Sequence, residues 1–136
     1  MAHYKLILAY EGTAYAGFQR QAHKVTVQGT VEDALHKLGW QGRAIMASGR
    51  TDSGVHALGQ VISFNFDWKH GTTKLVKALN ANLPSDISAQ HAMEVPWAFH
   101  PRYDALRREY RYRLYFQPER DPLRDAFAWR LNRAPN

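Results

Sequence analysis

Apolar positions along the chain fall into short alternating runs and longer helical stripes, separated by glycine, proline and asparagine. Tyr4 to Tyr10 is an apolar run rich in strand formers. Glu11-Gly12-Thr13 closes it, which predicts a strand entering a turn. Thr13 to Lys24 has no period and reads as a loop. Thr26 can then cap a helix whose apolar positions Val27, Val31, Ala34, Leu35 and Leu38 share one face. Gly39 can end it in the left-handed conformation that only glycine takes cheaply. Arg43 to Ser48 predicts a second strand, followed by a glycine-bounded loop. Leu58 to Phe66 predicts a third, with Val61, Ser63 and Asn65 alternating against Ile62, Phe64 and Phe66. A helix from about Thr73 to Leu79 must stop before Pro84. Asp86 to Val95 predicts a fourth strand. Glu109 to Phe116 predicts a fifth, with Tyr110, Tyr112, Leu114 and Phe116 on one face and Arg111, Arg113 and Tyr115 on the other.

The order β-α-β-β-α-β, with one strand added, predicts an α+β fold of the ferredoxin-like kind. In that fold an antiparallel sheet carries its helices on one face. Such domains occur with and without an RNA role, so the architecture by itself does not assign function. After Gln117 the sequence is irregular and predicts no further element.

Composition narrows the classes. The chain has 136 residues, enough for one compact core. Zero cysteines excludes disulfides, thiolate catalysis and cysteine-bound metal. The seven histidines show no metal-ligand spacing. No apolar run approaches the length of a membrane span and no signal-peptide pattern opens the chain, so a cytoplasmic protein is expected. The net charge of +6 suits a polyanionic partner. Nine of the 18 basic residues lie between Phe99 and Asn136, and all nine are arginine, interleaved with Tyr103, Tyr110, Tyr112 and Tyr115. Arginine grips phosphate with two donors and stacks on bases, as an RNA-facing strand requires. A solvated basic face on an amphipathic strand would look the same.

The richest chemistry sits in Gly49-Arg50-Thr51-Asp52-Ser53-Gly54-Val55-His56-Ala57. Two glycines five apart let the backbone turn and approach a ligand. There is no Gly-Lys-Ser/Thr ending for a phosphate loop, and no second acid nearby for paired-carboxylate hydrolysis. Two readings stay open. In one, Asp52 caps backbone amides in an Asx-type turn and Arg50 is solvated. In the other, Asp52 is catalytic, a buried anion whose oxygens are left clear of neighbouring amides.

GRTDSGVHALGQV resembles the central motif of the tRNA pseudouridine synthase A family, GRTD-x-GVHA-x-GQV. Four further blocks resemble that family in the same order: AYEGTAYAGFQRQ, VQGTVEDAL, LNANLPSDI and FHPRYDALRREYRYRLY. Phe18 stands where the family usually has Trp, and Pro101 where it usually has Ala; neither departure is expected to abolish activity. The resemblance implies isomerisation of uridine to pseudouridine in the anticodon arm of tRNA (positions 38–40), without cofactor, metal or redox partner. It implies Asp52 as the catalytic residue and Arg50 as the side chain that fills the space left by a flipped base. Tyr110 would be the tyrosine against the uracil. Phe99, His100, Pro101, Arg102 and Tyr103 would form an RNA-contacting loop, with Arg20, Arg107, Arg108 and Arg111 as secondary phosphate contacts. His56 is expected to shape the loop. Family members are about twice this length and typically homodimeric. Residues 1–117 are therefore expected to be the aspartate-bearing half, with 118–136 beginning the connection to a C-terminal domain. Such a half, if it is a fragment of a full enzyme, would be inactive alone or at most a weak tRNA-binding module. The remaining alternative is a natural short paralogue with a binding or structural role.

Overall fold

The computed structural model describes residues 1–102, 114–116 and 129–131. The chain divides into two compact units, Met1–Ala105 and Leu106–Asn136. In the first, strand β1 (Ala2–Tyr10) leads through a single 3-10 turn (Gly12–Ala14) and a loop to helix α1 (Val27–Lys37). Then follow β2 (Met46–Ala47), β3 (Ala57–Phe66), helix α2 (Thr72–Asn82) and β4 (Ile87–Val95). The sheet order is β2-β3-β1-β4, and every pairing is antiparallel. This is the ferredoxin-like arrangement expected from the element order.

Strand alternation and helix stripe meet in one core. Tyr4, Leu6, Leu8 and Tyr10 of β1 point into it beside Ile62, Phe64 and Phe66 of β3. Val27, Val31, Ala34 and Leu35 of α1 and Leu75 and Leu79 of α2 close it. Leu6, Leu8, Leu35, Ile62, Leu75 and Leu79 are fully buried, each stabilising the fold by about 1.5–3 kcal/mol. Register follows the same logic: Leu6 lies opposite Ile62 on one side and Ala92 on the other.

The helix ends obey their capping chemistry. The Thr26 hydroxyl accepts the Gly29 N–H at 3.2 Å, and Gly39 takes φ 100° just past the last turn. Helix α2 runs three residues further than its apolar stripe suggested, to Asn82, and stops where Leu83 is forced extended by Pro84. Asn80 turns back to β4, donating to the Ala89 carbonyl at 3.0 Å and accepting the Ala89 N–H at 2.7 Å. It thereby satisfies backbone groups of an edge strand that would otherwise lie open.

The second strand is shorter than the expected Arg43–Ser48. Met46 and Ala47 form the ladder with β3, opposite Ser63 and Ile62, and Ser48 N–H still donates to the Val61 carbonyl at 2.8 Å. The cause is competition: the Ile45 N–H donates to the Glu32 carboxylate at 3.0 Å, and the Arg43 carbonyl accepts from Arg20 at 3.1 Å. In the second unit, β5 (Leu114–Phe116) pairs in parallel with β6 (Trp129–Leu131). Strand β6 went unforeseen, because three residues with a central arginine carry no readable period. The rest of the expected strand, Glu109–Arg113, lies outside the described residues.

Candidate active site

The loop between β2 and β3 is held from one side by the chain that follows β1. Phe18 N–H donates to the Thr51 carbonyl at 3.0 Å, and Gly54 N–H donates to the Tyr15 carbonyl at 3.3 Å. The Ser53 hydroxyl donates to that same carbonyl at 3.3 Å. Tyr10, at the end of β1, shares a 2.7 Å hydrogen bond with the Thr51 hydroxyl. Gly12 N–H donates to His56 Nδ1 at 2.8 Å, so Nδ1 is the acceptor and the ring proton sits on Nε2. His56 thus shapes the loop, as expected. At the stem, the Gln60 amide donates to the Gly49 carbonyl at 2.7 Å and its oxygen accepts from the Ser48 hydroxyl at 2.8 Å.

Two glycines make this backbone-on-backbone packing possible. A β-carbon on Gly12 would lie 1.9 Å from the Val55 carbonyl oxygen. One on Gly17, which also has φ 84°, would lie 2.9 Å from the Thr51 carbonyl oxygen. The loop then reverses over Asp52–Val55, with Val55 N–H donating to the Asp52 backbone carbonyl at 3.1 Å and Gly54 at φ 78°. That is where a type II turn needs glycine.

What these contacts omit is informative. Thr51, Ser53, Gly54 and His56 are all engaged in holding the loop, whereas Arg50 and Asp52 are exposed. Among the described residues, no hydrogen bond or ion pair engages the Asp52 carboxylate or joins it to Arg50. The Asx-type reading is therefore displaced, since the turn is closed by the Asp52 backbone carbonyl and not by its side chain. The expectation of a buried anion is also corrected: the carboxylate is clear of amides, but it faces outward.

The strap behind the loop is itself anchored. The Tyr15 hydroxyl donates to Asp86 Oδ1, and Glu11 N–H donates to the Asp86 carbonyl at 2.9 Å. Burial, with the Asp86 carboxylate second, pushes the Tyr15 hydroxyl well above the ordinary tyrosine range. The Thr13 hydroxyl and N–H both donate to Glu11, holding its carboxyl below the usual carboxylate range. Phe18, in the place of the family's usual Trp, is buried against Tyr10 at 6.3 Å between ring centres. Segments far apart in sequence, around residues 11–18, 49–56 and 86, thus meet at one end of the sheet. In the sequence Tyr15 stands only within a motif block and Asp86 at the start of an expected strand; their spacing of 71 positions carries no periodic signal.

The other expected contact loop lies elsewhere. The His3 ring nitrogen Nε2 sits 3.0 Å from the Phe99 carbonyl, and Lys5 Nζ stands 5.7 Å from the Phe99 ring centre. His100 Nδ1 accepts the Arg102 N–H at 3.1 Å, and Arg102 is exposed. Pro101 is fully buried, so it packs the loop and offers a ligand no surface. His3 and Tyr10 lie seven positions apart on β1, about 23 Å along the strand at 3.3 Å per residue, so the two loops attach near its opposite ends. Arg20 is held in an ion pair with Glu32 at 3.2 Å. Tyr103, Arg107, Arg108, Tyr110 and Arg111 lie outside the described residues.

Comparison with known proteins supplies an independent line. The profile of a family described as tRNA pseudouridine synthase matches residues 6–104. The chain is 45% identical over 131 residues to tRNA pseudouridine synthase A of Geobacter sp. (strain M21), covering 96% of this chain and 53% of that protein. The protein of the same name from Exiguobacterium sp. is 46% identical over 128 residues, covering 94% and 51%. That of Thermotoga neapolitana is 43% identical over 124 residues, covering 90% and 51%. The chain spans about half the length of the curated relatives it matches.

Proposed function

The chain belongs to the tRNA pseudouridine synthase family, and from that premise we propose that it is the aspartate-bearing half of an enzyme converting uridine to pseudouridine in tRNA. The observation that carries the reading is the Asp52 loop: its backbone is clamped on one side while, among the described residues, nothing engages its exposed carboxylate.

The reaction breaks the bond between ribose C1′ and uracil N1, turns the base, and joins C1′ to C5. The C5 proton leaves and N1 gains one, so no atoms are added overall. Asp52 acts ionised, as a nucleophile toward the nucleoside or as a base toward a ribose proton. Either role needs carboxylate oxygens free of competing donors. A uridine within a stacked stem or loop must first be extruded. Arg50, exposed two residues from Asp52, occupies the vacated space, and Tyr110 packs against the uracil. Phe99, His100, Arg102 and Tyr103 hold the RNA further along the domain. Contacts near both ends of β1, at the Phe99–Arg102 loop and at the Asp52 loop, favour an extended substrate such as the anticodon arm over a free nucleoside. Residues 1–117 form the aspartate domain, 118–136 begin the connection onward, and the full enzyme is a homodimer.

In the full-length protein, Asp52→Asn is expected to reduce pseudouridine on unmodified tRNA to background, while Kd for tRNA changes less than about threefold. Turnover retained by that variant would remove the assignment.

A further inference from the structure

Helix α1 carries a carboxylate where an apolar residue would be expected. Glu32 is 2% exposed. Its Oε2 accepts the Ile45 N–H and the Gln28 side-chain amide, both at 3.0 Å. Among the described residues its buried Oε1 accepts no hydrogen bond. The one compensation for that oxygen among the described residues is Arg20 Nη1 at 3.2 Å, close enough for an ion pair though misaligned for a hydrogen bond. The same nitrogen donates to the Arg43 carbonyl at 3.1 Å. A buried carboxylate oxygen without compensation is strongly destabilising, so Glu32 constrains where the half-exposed Arg20 side chain can be.

Arg20 is tied in turn to the candidate active site. Its N–H donates to the Gln28 side-chain oxygen at 2.8 Å, and Gln28 N–H donates to the Phe18 carbonyl at 2.9 Å. Val27 N–H donates to the Gly17 carbonyl at 3.2 Å. Gly17 and Phe18 are the residues whose backbone lies against Thr51 and Asp52. A single residue, Gln19, therefore separates Arg20 from Phe18, whose N–H holds the Thr51 carbonyl.

We propose that Arg20 and Glu32 form a latch that positions Asp52, with Arg20 serving as the counter-ion of a buried glutamate and not as a phosphate ligand. The inference rests on the reading of Asp52 as the reacting carboxylate. The latch sets the 17–20 segment between α1 and the β2 entry, and that segment sets the height and tilt of the Asp52 turn. Arg20 and Glu32 are positioning residues; neither meets substrate.

Two variants of the full-length protein decide it. Glu32→Gln keeps an acceptor for Ile45 but loses the charge that holds Arg20. Arg20→Met combined with Glu32→Gln removes both charges without orphaning either, which guards against simple unfolding. For both variants kcat is expected to fall at least about tenfold, with KM for tRNA within about twofold and melting temperature nearly unchanged. Amide exchange at Phe18, Gly54 and Val55 should quicken about tenfold, and the slope of log Kd against log salt should not move. A phosphate ligand behaves oppositely: Glu32→Gln would free Arg20 and tighten binding, and the double variant would lower the salt slope by about 0.9 with kcat retained. That result, or unchanged exchange and kcat, overturns the latch. Should the parent protein form no pseudouridine, the functional reading fails separately, and the exchange measurement still decides the latch.

Discussion

Gly12 and Gly54 show how differently two glycines in one site can be required. A β-carbon at Gly12 meets the Val55 carbonyl at 1.9 Å, and backbone cannot swing aside as a side-chain tip can. At Gly54 a β-carbon meets open space, and only φ 78° resists it. Gly12→Ala is therefore expected to destabilise the chain by about 3 kcal/mol or more and displace the loop. Gly54→Ala should cost about 1–2 kcal/mol, from left-handed strain alone. Thermal melts of the two variants check the order, and equal costs would contradict the packing. The residue scale also separates the motif's members. Thr51, Ser53 and His56 hold the loop, while Arg50 and Asp52 are presented by it.

At the scale of elements, the segment after β1 works as a strap between the Asp52 loop and the start of β4. Tyr15 is its rivet, buried and donating to Asp86. Because the folded chain raises the Tyr15 pKa above its ordinary value near 10, the folded state holds that proton while the unfolded chain loses it. Its stabilisation is complete below about pH 10 and is lost as pH climbs toward the folded value. Tyr15→Phe should cost about 1.5–3 kcal/mol at neutral pH, the range for a hydrogen bond to a charged group. It should also flatten the alkaline decline in stability between pH 9 and 11, read by denaturant titration. An alkaline limb unchanged in the variant would assign that decline to other groups, Tyr4 among them, whose pKa burial also raises.

Across the whole molecule, the Asp52 carboxylate faces outward with one side of its loop supported. The curated relatives are about twice as long as the stretch they share with this chain. On the proposed reading, the further length that the relatives carry completes the site, so this stretch should bind tRNA without turning it over. These 136 residues alone are expected to give no pseudouridine on unmodified tRNA under conditions where the full-length protein gives product. A radiolabel-release or mass-shift assay reads the difference, and turnover by this chain alone would show the site to be complete.

The amino-acid order by itself determined what depends on neighbours a few positions apart. Thr26 and Gly39 bounded α1, Pro84 stopped α2, and the alternation through Ile62, Phe64 and Phe66 chose the buried face of β3. The GRTD block likewise singles out Asp52 from the sequence, because motif residues are adjacent in the chain. Tertiary structure decided what depends on partners 10 to 70 positions away. Only there did β2 shrink as Glu32 and Arg20 captured its backbone, Pro101 vanish into the packing, and Asp52 turn outward. Periodicity encodes which face of an element is apolar; it does not encode which distant polar group will reach a given carbonyl first.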